Sequence, residues 1–93
     1  MTLLDRVRAA LGEPLLRDIG ATGMRAYEAG TGVYFDFRGA PCGADHFVIL
    51  VSEEAVCRVQ LVRRKNLSLV QGKSGVPLAR LAPVVRRLSR HGS

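Results

Sequence analysis

The stretch HFVILVSEEAVCRVQLVRRK, residues 46–65, has the clearest secondary-structure pattern in the chain, and the predicted fold is built around it. Large apolar residues recur at every second position before and after a polar break at Ser52–Ala55. A two-residue period is typical of a β-strand with one buried face, so we predict two consecutive strands that form a hairpin. The inward side chains of this hairpin are predicted to dominate the core: Phe47, Ile49, Val51, Cys57, Val59 and Leu61.

The segments around the hairpin predict helices at both ends of the chain and further strands between them. Thr2 and Asp5 have the spacing of a loose helix capping box, and apolar residues at helical spacing follow them. Gly72–Gly75 is predicted to break the chain before a last helix, which Pro83 should kink or split. The predicted elements are helices over 3–11 and 14–19, strands over 24–29, 33–38 and 67–71, and a helix over 77–90.

Short loops between consecutive strands favour sequential antiparallel pairing. We therefore predict one α+β domain over residues 1–93, with a four- to five-stranded antiparallel meander sheet and the terminal helices packed on one face in two layers. The strand over 67–71 should lie at an edge. The second face of such a sheet would also be apolar, and a partner or a second copy could cover it. Its predicted interface residues are Val48, Leu50, Val56 and Val62.

Composition limits the class of protein. The 93 residues are 47% apolar, with a mean hydropathy of +0.11, which is typical of a globular chain. No uncharged apolar run approaches the roughly 20 residues of a membrane-spanning helix, and the N-terminus lacks the features of a signal peptide. Two cysteines are too few for a disulfide scaffold. These features predict a reduced, cytoplasmic protein.

The net charge of +6 conceals an uneven distribution along the chain. Residues 1–54 contain all eight acidic residues and five of the fourteen basic ones, which sum to −3. Residues 55–93 contain the other nine basic residues and no acidic one, so they carry +9. A segment of one sign indicates a surface for an anionic partner, although net charge also improves solubility.

The basic residues of this second half form the candidate binding site. On the last predicted helix, arginines lie opposite the apolar arc with no acid among them, whereas solvent-facing helices usually mix charges of both signs. A favourable interaction with the helix dipole explains the later arginines but not Arg80. Lys65 and Lys73 have an alternative role, since lysine at an edge strand prevents unwanted pairing. The candidate anion-binding residues are Arg63, Arg64, Lys65, Lys73, Arg80, Arg86, Arg87 and Arg90.

One loop contains residue types that could carry chemistry. Cys42, Asp45 and His46 are close in sequence, and Cys57 follows on the next strand. A structural zinc site needs four ligands, and a Cys–His nucleophile needs an orienting group and an oxyanion hole, neither of which the sequence locates. The glycines before position 33 and the GKS at 72–74 match no phosphate-binding motif. We expect no metal, no cofactor and no enzymatic activity.

Three hypotheses of function follow. The first is a non-enzymatic binding protein whose basic half contacts nucleic acid or an acidic protein surface. Tyr27 and Tyr34 could stack on bases, but neither is near the basic run in the sequence, which favours phosphate contacts over base contacts. The second is a protein-interaction or inhibitory module that forms a homodimer or heterodimer through the second face of the sheet. The third and weakest is a small hydrolase or nuclease around Cys42 and His46.

Overall fold

The fold is a five-stranded antiparallel sheet with helices at both ends of the chain. A computed structural model describes residues 2–28 and 30–92, and its strands follow the order β1-β2-β3-β4-β5. The predicted α+β class and meander sheet are confirmed. The elements are α1 (Leu3–Leu11), α2 (Glu13–Ile19), β1 (Thr22–Ala26), β2 (Gly32–Asp36), β3 (His46–Val51), β4 (Val56–Arg63), β5 (Ser68–Pro77), a 3-10 turn (Leu78–Arg80) and α3 (Leu81–Leu88).

The β3–β4 hairpin forms the centre of the core, as its alternating pattern predicts. Phe47 lies opposite Leu61, and Ile49 lies opposite Val59. All four side chains are completely buried. Val51, at the end of β3, is only half-buried. The predicted inward face is therefore confirmed over the middle of both strands.

The helices cover this same inner face of the sheet, which makes two layers. Thr2 and Asp5 form the predicted capping box: the main-chain N–H of Asp5 donates to Thr2 Oγ1 over 3.1 Å, and the N–H of Thr2 donates to the Asp5 carboxylate over 3.2 Å. None of the described helices has the length and hydropathy to span a membrane. The buried helical side chains that join the sheet in one core cluster are Val7, Leu11, Leu15, Leu16, Ile19, Leu81, Val85 and Leu88.

The first two strands lie closer to the N-terminus than predicted. The strand predicted over 24–29 occupies Thr22–Ala26, and Ala29 lies outside the described residues. The strand predicted over 33–38 ends at Asp36. It ends there because the N–H of Arg38 donates to the carbonyl of Ile19 over 2.8 Å, which draws the chain away from β1 and toward the end of α2.

The prediction of a short fifth strand and a break at Gly72–Gly75 is wrong. β5 continues through these residues to Pro77, because it pairs along the whole of β4 and this pairing outweighs the weak strand propensity of glycine. The register shifts twice along β5. Gly75, whose φ is +68°, lies at one shift, where an extra residue and a positive φ are typical of a β-bulge.

The last predicted helix is divided into a 3-10 turn and α3. The break precedes Leu81, so Pro83 lies within the first turn of α3 and not at the break itself. A proline is tolerated there because the first N–H groups of a helix have no partner within it. Leu81, Val85 and Leu88 are buried, as the apolar arc predicts.

Candidate anion-binding groove

Four basic side chains, three of them from three different elements and one from the residues after α3, line one groove between β5 and α3. Lys73 comes from β5, Arg80 from the 3-10 turn, Arg87 from α3 and His91 from the residues after it. The groove has a volume of about 420 Å³. Its remaining walls are polar on the strand side and apolar on the helix side: Gln71, Gly72, Pro83, Val84 and Leu88.

The groove exists because the edge strand turns polar residues toward the helix layer. Gln71 lies opposite Leu61, and Lys73 lies opposite Val59, so both side chains are on the inner face of the sheet. The register shift between Leu61 and Val62 places Leu69 on the other face, although Leu69 and Gln71 are two residues apart. Gln71 and Lys73 are exposed, so this part of the inner side of β5 stays open to solvent, whereas Val76 further along the strand is buried.

Among the described residues, no carboxylate lines the groove to balance its positive charge. Within residues 2–28 and 30–92, no aspartate or glutamate lines it, and Lys73, Arg80 and Arg87 take part in none of the ion pairs. All three side chains are exposed. Positive charges at the sides of one concave surface strengthen its potential, and this potential attracts anions.

The other two arginines of the last helix lie elsewhere. Arg86 donates to a carboxylate oxygen of Asp18, at the end of α2, over 3.3 Å. Arg86 and Arg90 line a separate cleft of about 270 Å³, together with Arg38 and Asp18. Asp18 offsets part of the positive charge there. Residues 55–93 contain no acid, but in the folded protein Arg86 lies next to an acid from the first half of the chain.

The basic run from the end of β4 into the β4–β5 turn does not line the groove, and its two arginines make specific contacts. Arg63 donates to the carbonyl of Cys42 over 3.0 Å. Arg64 donates to the Asp36 carboxylate over 3.0 Å, and its main-chain N–H donates to the Asp45 carboxylate over 2.9 Å. Lys65, next in the turn, is exposed. The eight candidate residues thus occupy three places, and one anion-binding surface would have to be built from a subset of them.

The predicted second-face residues differ in how much surface they offer. Val48 and Leu50 are half-buried, and Val56 is 37% exposed. Val62 is only 8% exposed, so it offers little surface to a partner. Leu69, which sequence analysis did not assign to this face, lies opposite Val62 and is 60% exposed. Its position follows from the β5 register shift, which no local pattern reveals.

The structure places the described cysteines and histidines in different surroundings. His46 directs Nδ1 to the carboxylate of Asp36 over 2.8 Å, while Cys42 lies in the loop beside His91, whose carbonyl accepts from the Cys42 N–H. Cys57 is buried in the core, and burial raises the pKa of its thiol. Among the described residues, no group of three or more histidines, cysteines and acids could hold a metal ion.

Two features of the site were missed in the sequence. His91, which no sequence pattern marks, lines the groove beside Arg87. Arg64 lines one cleft with Tyr27 and Tyr34, so the tyrosines do lie beside a basic residue in space. The length of β5 brings His91 into the groove, and the pairing of β1 with β2 brings the tyrosines into the cleft. Local periodicity predicts neither of these arrangements. Comparison of the chain with protein families, curated proteins and solved structures found no match.

Proposed function

We propose that this protein is a non-enzymatic binding protein that holds an anionic partner, either nucleic acid or an acidic protein surface, in the groove between β5 and α3. The observation that supports the proposal is the convergence of Lys73, Arg80, Arg87 and His91 on one groove with no carboxylate among its described lining residues. Three elements supply these side chains, so the cluster is not a by-product of one helix face.

The distribution of ion pairs favours the groove over the other basic positions. Arg64 and Arg86 each have a carboxylate partner, and an approaching anion would have to compete with it. Lys73, Arg80 and Arg87 face no such competition from described residues. Arg63 contacts Cys42, whose N–H donates to the carbonyl of His91, so the groove can extend toward Arg63 at its His91 end.

A salt titration tests this proposal quantitatively. Each phosphate neutralised on double-stranded DNA contributes a slope of about −0.9 in log K against log salt. Lys73, Arg80 and Arg87 together predict a slope of about −3, whereas participation of Arg63 and Lys65 would bring it to about −4 to −5. Fluorescence anisotropy with a labelled duplex, a labelled RNA and labelled polyglutamate gives the slope and separates nucleic acid from acidic polypeptide.

A matched pair of charge reversals tests whether the surface is defined. Arg80→Glu with Arg87→Glu should reduce affinity by more than tenfold while circular dichroism stays unchanged, because both side chains are exposed. Arg6→Glu with Arg17→Glu changes the net charge equally, at exposed helical positions that form no ion pair with a described residue. Equal losses from both pairs would show that only total charge matters. No binding to any of the three ligands at low salt would refute the proposal.

The alternative function is protein interaction through the outer face of the sheet. It is supported by a cleft of about 370 Å³ that contains Leu50 and Val56, with Arg58 at its side, on a face that the helices do not cover. Light scattering across a concentration series measures self-association. Val56→Glu should abolish it if this face forms the contact, and a monomer at all concentrations would leave only a heteromeric partner for this hypothesis.

A further inference from the structure

An aromatic ladder crosses the outer face of the sheet, opposite to the groove. The ring centroids of Tyr27 and Tyr34 are 4.9 Å apart with their planes tilted by 46°, and those of Tyr34 and His46 are 5.9 Å apart with a tilt of 41°. The three rings come from neighbouring strands: Tyr27 follows β1, Tyr34 lies in β2 and His46 begins β3. We define these three residues as the aromatic ladder.

The ladder borders a cleft of about 380 Å³ with a charged rim. Arg64 and Leu67, from the β4–β5 turn, form its other side. Leu67 is 76% exposed and has a φ of +54°, a strained conformation for a leucine, so the turn holds a large apolar side chain in solvent at the cleft. This combination of aromatic wall, apolar cover and guanidinium is not needed for the core, which lies on the other face.

The acidic residues near the cleft do not prevent an anion from entering on the Arg64 side. One oxygen of the Asp36 carboxylate contacts the His46 ring, and the other accepts a hydrogen bond from Arg64. The pairing with Arg64 balances the negative charge of Asp36, and the two contacts hold the His46 and Arg64 side chains in position. Glu28 lines the far side of the cleft, next to Tyr27, and its carboxylate repels phosphate. Because Arg64 is paired with Asp36, a phosphate backbone would run along Lys65, the exposed residue next to it, with the bases directed toward the tyrosines.

We propose that this cleft binds an unpaired base of single-stranded nucleic acid. Bases stack on aromatic side chains with little dependence on sequence, because every base has a π-face, and an arginine beside the stack adds a contact to base or phosphate. A duplex keeps the faces of its bases stacked on one another, so only a single strand offers a face to the ladder. This site is independent of the groove: it lies on the other face of the sheet and shares no residue with it.

Intrinsic fluorescence reports on this site directly. The chain has two tyrosines and no tryptophan, so its emission comes from Tyr27 and Tyr34 alone. Titration with a short oligothymidylate or oligouridylate should quench this emission, after correction for absorbance with free tyrosine amide in the same titration. The two oligonucleotides distinguish DNA from RNA. An abasic phosphodiester of the same length carries the charge without the bases, so it should leave the emission unchanged even where it binds the groove.

Two matched variants complete the test. Tyr27→Leu, measured by anisotropy with a labelled oligonucleotide, should weaken binding roughly 5- to 100-fold, the effect typical of removing one aromatic stacking partner. Gln60→Ala, at a half-buried residue of the same face that does not line the cleft, should leave the affinity unchanged. Arg80→Glu with Arg87→Glu should retain the quenching at saturation, which separates this site from the groove.

Several outcomes would overturn the proposal. Binding of the oligonucleotides without quenching would place the bases elsewhere, and equal affinity for the abasic strand would exclude stacking. No binding of either oligonucleotide to the wild-type protein would also refute it. If Tyr27→Leu lowers the melting temperature but binds as tightly as the wild type, the ladder serves only the stability of the sheet.

Discussion

Truncation of Leu61 to alanine should destabilise the protein by about 3–4 kcal/mol. Leu61 is completely buried in β4, between Phe47 on β3 and Gln71 on β5. The change removes about three carbons at roughly 0.8 kcal/mol each, or about 2.4 kcal/mol of transfer free energy. The cavity that remains after partial relaxation of its surroundings adds about 1 kcal/mol more, which brings the total into the range measured for buried leucines.

Urea denaturation followed by far-UV circular dichroism measures this loss. A domain of 93 residues has a total stability of about 5–14 kcal/mol, so the variant should remain folded but lose a large share of its margin. With a denaturant slope of about 1 kcal/mol per molar, the midpoint should fall by roughly 3 M. An unchanged slope would show that the folded state keeps its compactness.

The matched control is the same substitution on the neighbouring strand. Leu69 is 60% exposed, so Leu69→Ala should cost less than about 0.5 kcal/mol. Equal shifts from the two variants would refute the packing argument. A stable Leu61→Ala combined with a severely destabilised Val48→Ala would show that the opposite face of the hairpin is buried, because a one-residue change of register exchanges the two faces.

Four further predictions concern single positions and the thiols. Gly32→Ala should destabilise the fold by about 1–3 kcal/mol in urea titration, because a Cβ there would lie 2.5 Å from a carbonyl oxygen of β3, whereas Gly72→Ala, with 3.7 Å to its nearest atom, should not. A colorimetric thiol reagent should modify Cys42 in the native protein and reach Cys57 only after unfolding, since Cys57 is 1% exposed and burial raises its pKa; rapid reaction of both would contradict this. Chelator and reductant should leave the melting temperature unchanged, and a drop of several degrees would reveal a metal or disulfide contribution. Hydrogen bonds with the helix-capping residue lower the pKa of Asp5 below its usual 3.8, so its contribution is present above that pH and is lost as the pH falls through the lowered value; the stability difference between wild type and Asp5→Asn should shrink over that window.

Local sequence patterns were enough to predict the elements whose apolar residues recur at a regular spacing. Phe47, Ile49, Val59 and Leu61 could be assigned to the core because a strand with one buried face imposes a two-residue period on its own side chains. The same holds for the inward stripe of α3 and for the capping box of α1, where the interacting residues are three or four positions apart. Antiparallel order followed from the short loops between strands.

The length of β5 and the grouping of the basic residues depend on contacts between distant parts of the chain. β5 passes through Gly72–Gly75 because β4 offers it main-chain partners, and this continuation places Lys73 on the helix side. The charge asymmetry was visible in the sequence, but the sequence did not show which arginines would be paired with acids. Arg86 pairs with Asp18, 68 positions away, while Arg87 faces the groove. Successive helical residues point about 100° apart, so the packing of α3 determines which of the two finds an acid.

The position of Arg64 beside the aromatic ladder is the clearest example of a neighbourhood that depends on long-range contacts. In the sequence Arg64 belongs to a basic run that contains no aromatic residue, and it lies 28 positions from Asp36. The register of β2, β3 and β4 brings Asp36, His46 and the end of β4 side by side on the outer face. Long-range strand pairing creates this neighbourhood, and local periodicity carries no information about it.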